Sequence, residues 1–189
     1  ISRFQELQTS IFLTVALILI TFSYRIFRKE SLKNSLIGVA GTSTALLIAQ
    51  IQGSASGFFL PGIIRDLSVA AIGFLSILFG RPFTIYTSKS IRGWPLDWFL
   101  HKNVKPAYRE VAIIWVVFLG IKGLLQLYFF NSPEILAVIK LATSNQTTIF
   151  LLVMTYIYGQ RRLLKLGGPS VDEFLNKTPP PWSSQQSGF

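Results

Sequence analysis

The sequence predicts an all-α integral membrane protein with about five transmembrane helices and a short interfacial amphipathic helix. Three observations carry that expectation. Half of the 189 residues are hydrophobic, with a mean hydropathy of +0.49. They are gathered into long apolar blocks rather than scattered as in a soluble domain. The basic residues collect in alternate connections between the blocks. A soluble helical bundle would need a charged outer face at the 3.6-residue period, and the blocks lack one.

A transmembrane helix takes roughly 20 mostly apolar residues. Blocks of about that length lie near residues 8–27, 35–52, 58–80, 109–130 and 134–158. The first is longer than a signal-peptide core and is followed, not preceded, by its basic cluster, which predicts a retained span. Residues 1–165 are therefore expected to form one transmembrane domain, and 166–189 an extended or disordered cytoplasmic tail. The tail carries Gly167, Gly168 and the run Pro179–Pro181, which disfavour regular structure.

Orientation follows from the loops. The first connection holds Arg25, Arg28, Lys29 and Lys33, and the third holds Arg81, Lys89, Arg92, Lys102, Lys105 and Arg109. The segment after the last span holds Arg161, Arg162, Lys165 and Lys177, while the second and fourth connections hold no basic residue. Cytoplasmic loops carry the Lys and Arg excess, so the N-terminus is expected outside and the C-terminus in the cytoplasm. The net charge of +10 then reflects orientation and attraction to anionic lipid headgroups rather than nucleic-acid binding. Within the third connection, "WPLDWFLHK" puts Pro95 at a favourable first helical position. A short helix in the interface, anchored by Trp94 and Trp98, is predicted there.

Four charges fall inside the blocks: Arg65, Asp66, Lys122 and Lys140. At 1.5 Å per residue, Asp66 and Lys122 lie about 12 Å deep and Lys140 about 10 Å deep, all in the outer half. Asp66 is expected to pair with Lys122 or Lys140, with Arg65 taking a neighbouring direction; for Lys140, snorkelling to the outer headgroups is the alternative. Span five adds six consecutive polar residues, Thr143–Thr148. Thr and Ser can bond back to their own helix, whereas Asn145 and Gln146 need outside partners. Surrounding helices, a wet cavity or a broken backbone would each account for them. In span two, Gly41, Ala45, Ala49 and Gly53 recur every four residues, a spacing that lets helices approach closely.

The chemistry of a catalytic site is not visible. The chain has no cysteine and one histidine, His101, and carries no HExxH, GxSxG or Walker motif. His101 is a weak candidate for a haem or chlorophyll ligand, and the bland alternative is an ordinary interface residue. No metal site or cofactor is indicated.

Three stretches carry a family resemblance: "FFLPGII" at 58–64, "GRPF" at 80–83 and "AYREVAIIWVVFLGIKGLLQLYFF" from Ala107. Over residues 20–160 the chain resembles a bacterial family of small multi-pass membrane proteins of unknown function, itself distantly similar to intracellular septation protein A. Members of that family often have six spans, and the charged Arg65–Asp66 pair departs from their mostly uncharged pattern. The resemblance implies no substrate, cofactor or active site. The expectation is a non-catalytic accessory or assembly subunit of a larger membrane complex, photosynthetic or respiratory among the possible hosts, with other membrane subunits or copies of itself as partners. The alternative is a small oligomeric transporter or channel that uses the intramembrane polar layer.

Overall fold

The computed structural model describes residues 2–27 and 32–182, so the loop residues Arg28 and Lys29 and the last seven residues lie outside the described region. All regular structure in that region is helical. The helices are α1 (Ser2–Phe27), α2 (Leu32–Gln52), α3 (Leu60–Leu78), α4 (Phe83–Arg92), α5 (Leu96–Phe99), α6 (Lys105–Tyr128), α7 (Pro133–Ala142), α8 (Asn145–Leu166) and α9 (Val171–Leu175). A 3-10 turn, Ala55–Phe59, leads into α3. Three stretches are long and apolar enough to cross a membrane: Ser56–Leu78, Lys105–Tyr128 and Pro133–Leu166. Shorter apolar helical stretches run over Ile11–Tyr24 and Gly38–Ile51.

The chain divides into two compact units. One contains the residues up to Ile64 together with Gln126–Ala137. In it α2 packs against α1 and the 3-10 turn. Ala45 and Ala49 are buried there, as the small-residue spacing requires. The two glycines of the expected ladder do not join them. Gly41 is exposed, with open space where a Cβ would stand. Gly53 lies beyond the helix at φ +61°, where its freedom at positive φ ends α2, and its N–H donates to Gln50 O. The packing stripe is thus shorter than the sequence period suggested. Every described side chain of α1 retains some exposure, so no core holds this helix by itself.

The second unit contains Arg65–Leu125 and the residues from Val138 onward. Asp66, Ala70, Gly73 and Ile77 are buried along one side of α3, at the spacing of one helix face. That face meets α6 closely. A Cβ on Gly123 would lie 2.6 Å from Leu67 Cδ2, and one on Gly73 would lie 2.7 Å from Val116 Cγ2. "GRPF" is the punctuation after α3. Gly80 turns at φ +68°, Pro82 opens α4, and the Phe83 N–H donates to Ser76 Oγ at 3.0 Å.

The connection from α4 to α6 forms a packed cap rather than a helix lying in lipid. Ile85, Trp98, Phe99, Val104, Ala107, Tyr108 and Leu163 make one buried cluster. Here the expected interfacial helix is corrected. α5 is only four residues long, and Trp98 is fully buried instead of anchored in headgroups. Trp94 is partly buried, with its ring edge-on to Trp98 at 5.2 Å and the Arg92 guanidinium 4.6 Å above it. A buried indole needs a partner for its N–H, and Trp98 Nε1 donates to Pro169 O at 2.9 Å.

That bond also corrects the expectation for the tail. Residues 167–182 are ordered against the cap by the chain itself. Gly167 ends α8 at φ +56°, and Gly168 passes so close to Asn103 that an added Cβ would meet its carbonyl oxygen at 2.9 Å. The Gly-Gly pair is a tight turn followed by a close backbone approach. α9 starts with a full capping box: Ser170 Oγ accepts from the Glu173 N–H, and Glu173 Oε2 accepts from the Ser170 N–H. Val171 and Phe174 pack against the buried cluster.

Trp98→Ala removes the largest buried side chain of the cap, and large aromatic truncations of this kind cost about 3–5 kcal/mol. Limited proteolysis is expected to cleave residues 167–182 much faster in that variant than in the parent, with Trp98→Phe in between. Equal cleavage rates would show that Trp98 does not hold the tail.

Candidate functional site

The intramembrane charges converge in part. On α3, Arg65 Nε and Nη2 donate to Asp66 Oδ1 at 3.1 and 2.8 Å. From α6, Lys122 Nζ lies 3.0 Å from Asp66 Oδ2, an ion pair rather than an aligned hydrogen bond. Asp66 and Lys122 are both buried, whereas the Arg65 side chain is 69% exposed. The carboxylate is therefore divided between a buried partner on the facing helix and an exposed partner beside it. Leu67, next to Asp66, seats against Gly123, next to Lys122. The glycine gives the two backbones the closeness the short Asp side chain needs.

Lys140 does not form the ion pair. It is half-buried on α7, within electrostatic reach of Asp66, Lys122 and Arg65. Asn145 and Gln146 do not enter the charged group either. Both are exposed, and no hydrogen bond among the described residues links them to it. Their helix is interrupted between α7 and α8 at Thr143 and Ser144. Hydroxyls satisfy much of the backbone there. Thr143 Oγ1 donates to Ile139 O at 2.7 Å, Thr147 Oγ1 to Ala142 O at 2.7 Å and Thr148 Oγ1 to Ser144 O at 3.2 Å. Ser144 Oγ donates to Gln146 Oε1 at 2.7 Å. Of the three accounts open for the polar band, a broken backbone is the one observed.

A second ion pair went unread in the sequence. Arg162 on α8 grips Glu110 on α6 with three hydrogen bonds of 2.9–3.0 Å, and Tyr158 Oη donates to Glu110 Oε2 at 2.6 Å. By sequence alone Arg162 is one of the basic residues that follow the last apolar block. Nothing in the sequence links Glu110 to residues 48 and 52 positions later, since the pairing depends on α6 and α8 lying alongside one another. In the other unit, Gln126 is fully buried and neither of its amide atoms has a partner among the described residues. Ser56 Oγ is buried and unpaired as well. An unpaired buried amide costs free energy.

His101 follows α5. Its Nδ1 accepts from the Asn103 N–H at 3.3 Å, and its ring stands edge-on to Trp182 at 5.3 Å. Burial pushes the imidazole below its ordinary pKa, and Lys102 adds to that. The described residues contain no cluster of three or more His, Cys, Asp or Glu that would hold a metal ion.

The charge pair makes a clear prediction. Removing one partner of a buried ion pair costs about 3–5 kcal/mol, because it strands the other charge. Asp66→Asn and Lys122→Met are each expected to lower the unfolding temperature in nanodiscs strongly, and the double variant to recover most of the loss. Strictly additive losses would show that the pair is not coupled.

The sequence profile of a family described as "Protein of unknown function (DUF3159)" matches residues 1–164. No curated protein and no solved structure matches the chain.

Proposed function

The chain belongs to this DUF3159 family, and from that premise we propose that it is a non-catalytic membrane protein serving as an accessory or assembly subunit of a larger membrane complex. One observation carries the reading. Pro133–Leu166 is long and apolar enough to cross a membrane, yet only 6% of its best apolar window is buried inside the protein. Asn145 and Gln146, near its middle, are exposed. An amide side chain facing hydrocarbon without a partner is costly, and a neighbouring protein surface removes that cost. The incompletely buried α1 has the same need for company.

In this reading α1 and α2 also cross, giving five spans in a bacterial inner membrane. The basic connections then lie in the cytoplasm, with the N-terminus outside. The Glu110–Arg162 pair supports the placement of the start of α6 and the end of α8 on one side. Photosynthetic and respiratory complexes are both compatible hosts. No curated protein match supports the distant likeness to intracellular septation protein A.

The second reading, a small oligomeric transporter, is favoured by one feature. The helix break at Thr143 and Ser144 lies in the same unit as a buried Asp–Lys pair, and broken helices beside intramembrane charges recur in transporters.

Gentle extraction from the native membrane, followed by native mass measurement and an absorption spectrum, separates the two. A particle well above 21.2 kDa that contains other polypeptides is expected. Replacing Asn145 and Gln146 with Leu is expected to reduce the co-purifying chains. A colourless homo-oligomer unaffected by those changes would shift the assignment to transport.

A further inference from the structure

Asp66 holds Arg65 in place. Arg65 Nε and Nη2 donate to Asp66 Oδ1 at 3.1 and 2.8 Å, and the buried carboxylate is paired in turn with Lys122 at 3.0 Å. The guanidinium is thereby kept at the level of the carboxylate instead of reaching along the helix toward headgroups, as an untethered Arg does. That level is about 13 Å from Ser56, the start of its apolar stretch, at 1.5 Å per residue. The Arg65 side chain is nevertheless 69% exposed. Ser68, Val69 and Ile72 share its outward helix face and are exposed as well.

The donors of Arg65 are only partly used. A guanidinium carries five N–H groups in a fixed plane. Nε and one N–H of Nη2 are spent on Asp66. The other N–H of Nη2 and both of Nη1 have no acceptor among the described residues. They form the end of the fork, an edge that accepts a second carboxylate bidentately.

The charge is unbalanced in the same place. Lys140 is half-buried and within electrostatic reach of Asp66, Lys122 and Arg65, and no ion pair occupies its ammonium among the described residues. Three cations thus accompany one carboxylate, a surplus of positive charge. In apolar surroundings such a surplus is costly and calls for an anionic group.

The chain does not supply that anion. Within the three long apolar stretches its carboxylates are Asp66, Glu110 and Glu134. Asp66 and Glu110 are already paired. Glu134 stands beside Pro133 at the very start of its stretch, so a second copy brings no free carboxylate to this level.

We propose that the free edge of Arg65 receives an Asp or Glu carboxylate from a transmembrane helix of a different polypeptide, with Lys140 as the second cation of the site. This inference rests on the subunit assignment and names the chemistry of the partner. A lipid phosphate fits less well, because it stays at the headgroup level while Arg65 is tethered deeper.

The test uses the complex extracted from its native membrane with the parent chain, Arg65→Lys, Arg65→Gln or Lys140→Gln. Dicyclohexylcarbodiimide, an apolar reagent, activates a carboxylic acid toward a neighbouring amine, and peptide mass spectrometry locates the amide that forms. A link is expected from the amine introduced by Arg65→Lys, or from Lys140, to an Asp or Glu in an apolar segment of another polypeptide. Recovery of that polypeptide is expected to fall about tenfold or more in Arg65→Gln, as for loss of a charge-assisted hydrogen bond. It is expected to fall in Lys140→Gln too, while that variant, which strands no partner, unfolds in nanodiscs at the parent's temperature. Other polypeptides retained in every variant, with no such link, overturn the inference and leave the subunit assignment standing. An anionic lipid counted by native mass spectrometry and lost in Arg65→Gln, with the other polypeptides unchanged, overturns it in favour of a headgroup. A parent chain extracted with no other polypeptide overturns the subunit assignment and this inference together.

Discussion

A carboxylate that must be buried in apolar surroundings needs its counter-charge close by, and this requirement organises the contact between α3 and α6. Asp is short, so Lys122 meets it only if the two backbones come near. Gly73 and Gly123 provide that approach, each sitting where a methyl group would collide with the opposite helix. The ion pair and the glycines are one device. Neither works without the other, because a wider separation would leave both charges stranded in a low-dielectric setting. Arg65 completes the carboxylate's coordination from outside and stays exposed, so the group as a whole presents positive charge on the surface.

The cap on the second unit solves a different problem. Short helices such as α4, α5 and α9 cannot stand alone, since a few turns of helix are marginal without tertiary packing. They are stabilised jointly through Trp98, Phe99 and Tyr108, whose rings meet edge-to-face at 5.0 and 5.2 Å. Trp98 then fixes the tail by its bond to Pro169. The aromatic core therefore turns a glycine- and proline-rich segment into an ordered one.

This division explains what the sequence could and could not reveal. The helical class and the long apolar stretches were legible because they depend on composition over windows of about 20 residues. Asp66 was legible as a residue needing a cation because a short buried carboxylate has few options. The choice of Lys122 over Lys140 was not, since both lie at similar estimated depth and only the azimuth of each helix decides between them. Trp98 was misread because an aromatic residue beside Pro95 looks the same whether it faces headgroups or a protein core. Glu110, Arg162 and Tyr158 were invisible as a group, because pairing across half a hundred residues leaves no local pattern. The tail was misread for a related reason. Pro and Gly content reports what a segment would do alone, while docking depends on the surface waiting for it.

Pro133–Leu166 is interrupted at Thr143 and Ser144. Its polar residues fall into two kinds. The hydroxyls of Thr143, Thr147 and Thr148 repair the backbone around the break and need nothing more. Asn145 and Gln146 have amide groups whose capacity exceeds what their own helix supplies. Had they been selected only to tolerate the break, they would face inward toward the buried pair, where amides could share its hydrogen bonds. They face outward instead, on the least buried of the three long apolar stretches. An outward amide within an apolar stretch is costly in hydrocarbon, and the partner proposed above would remove that cost.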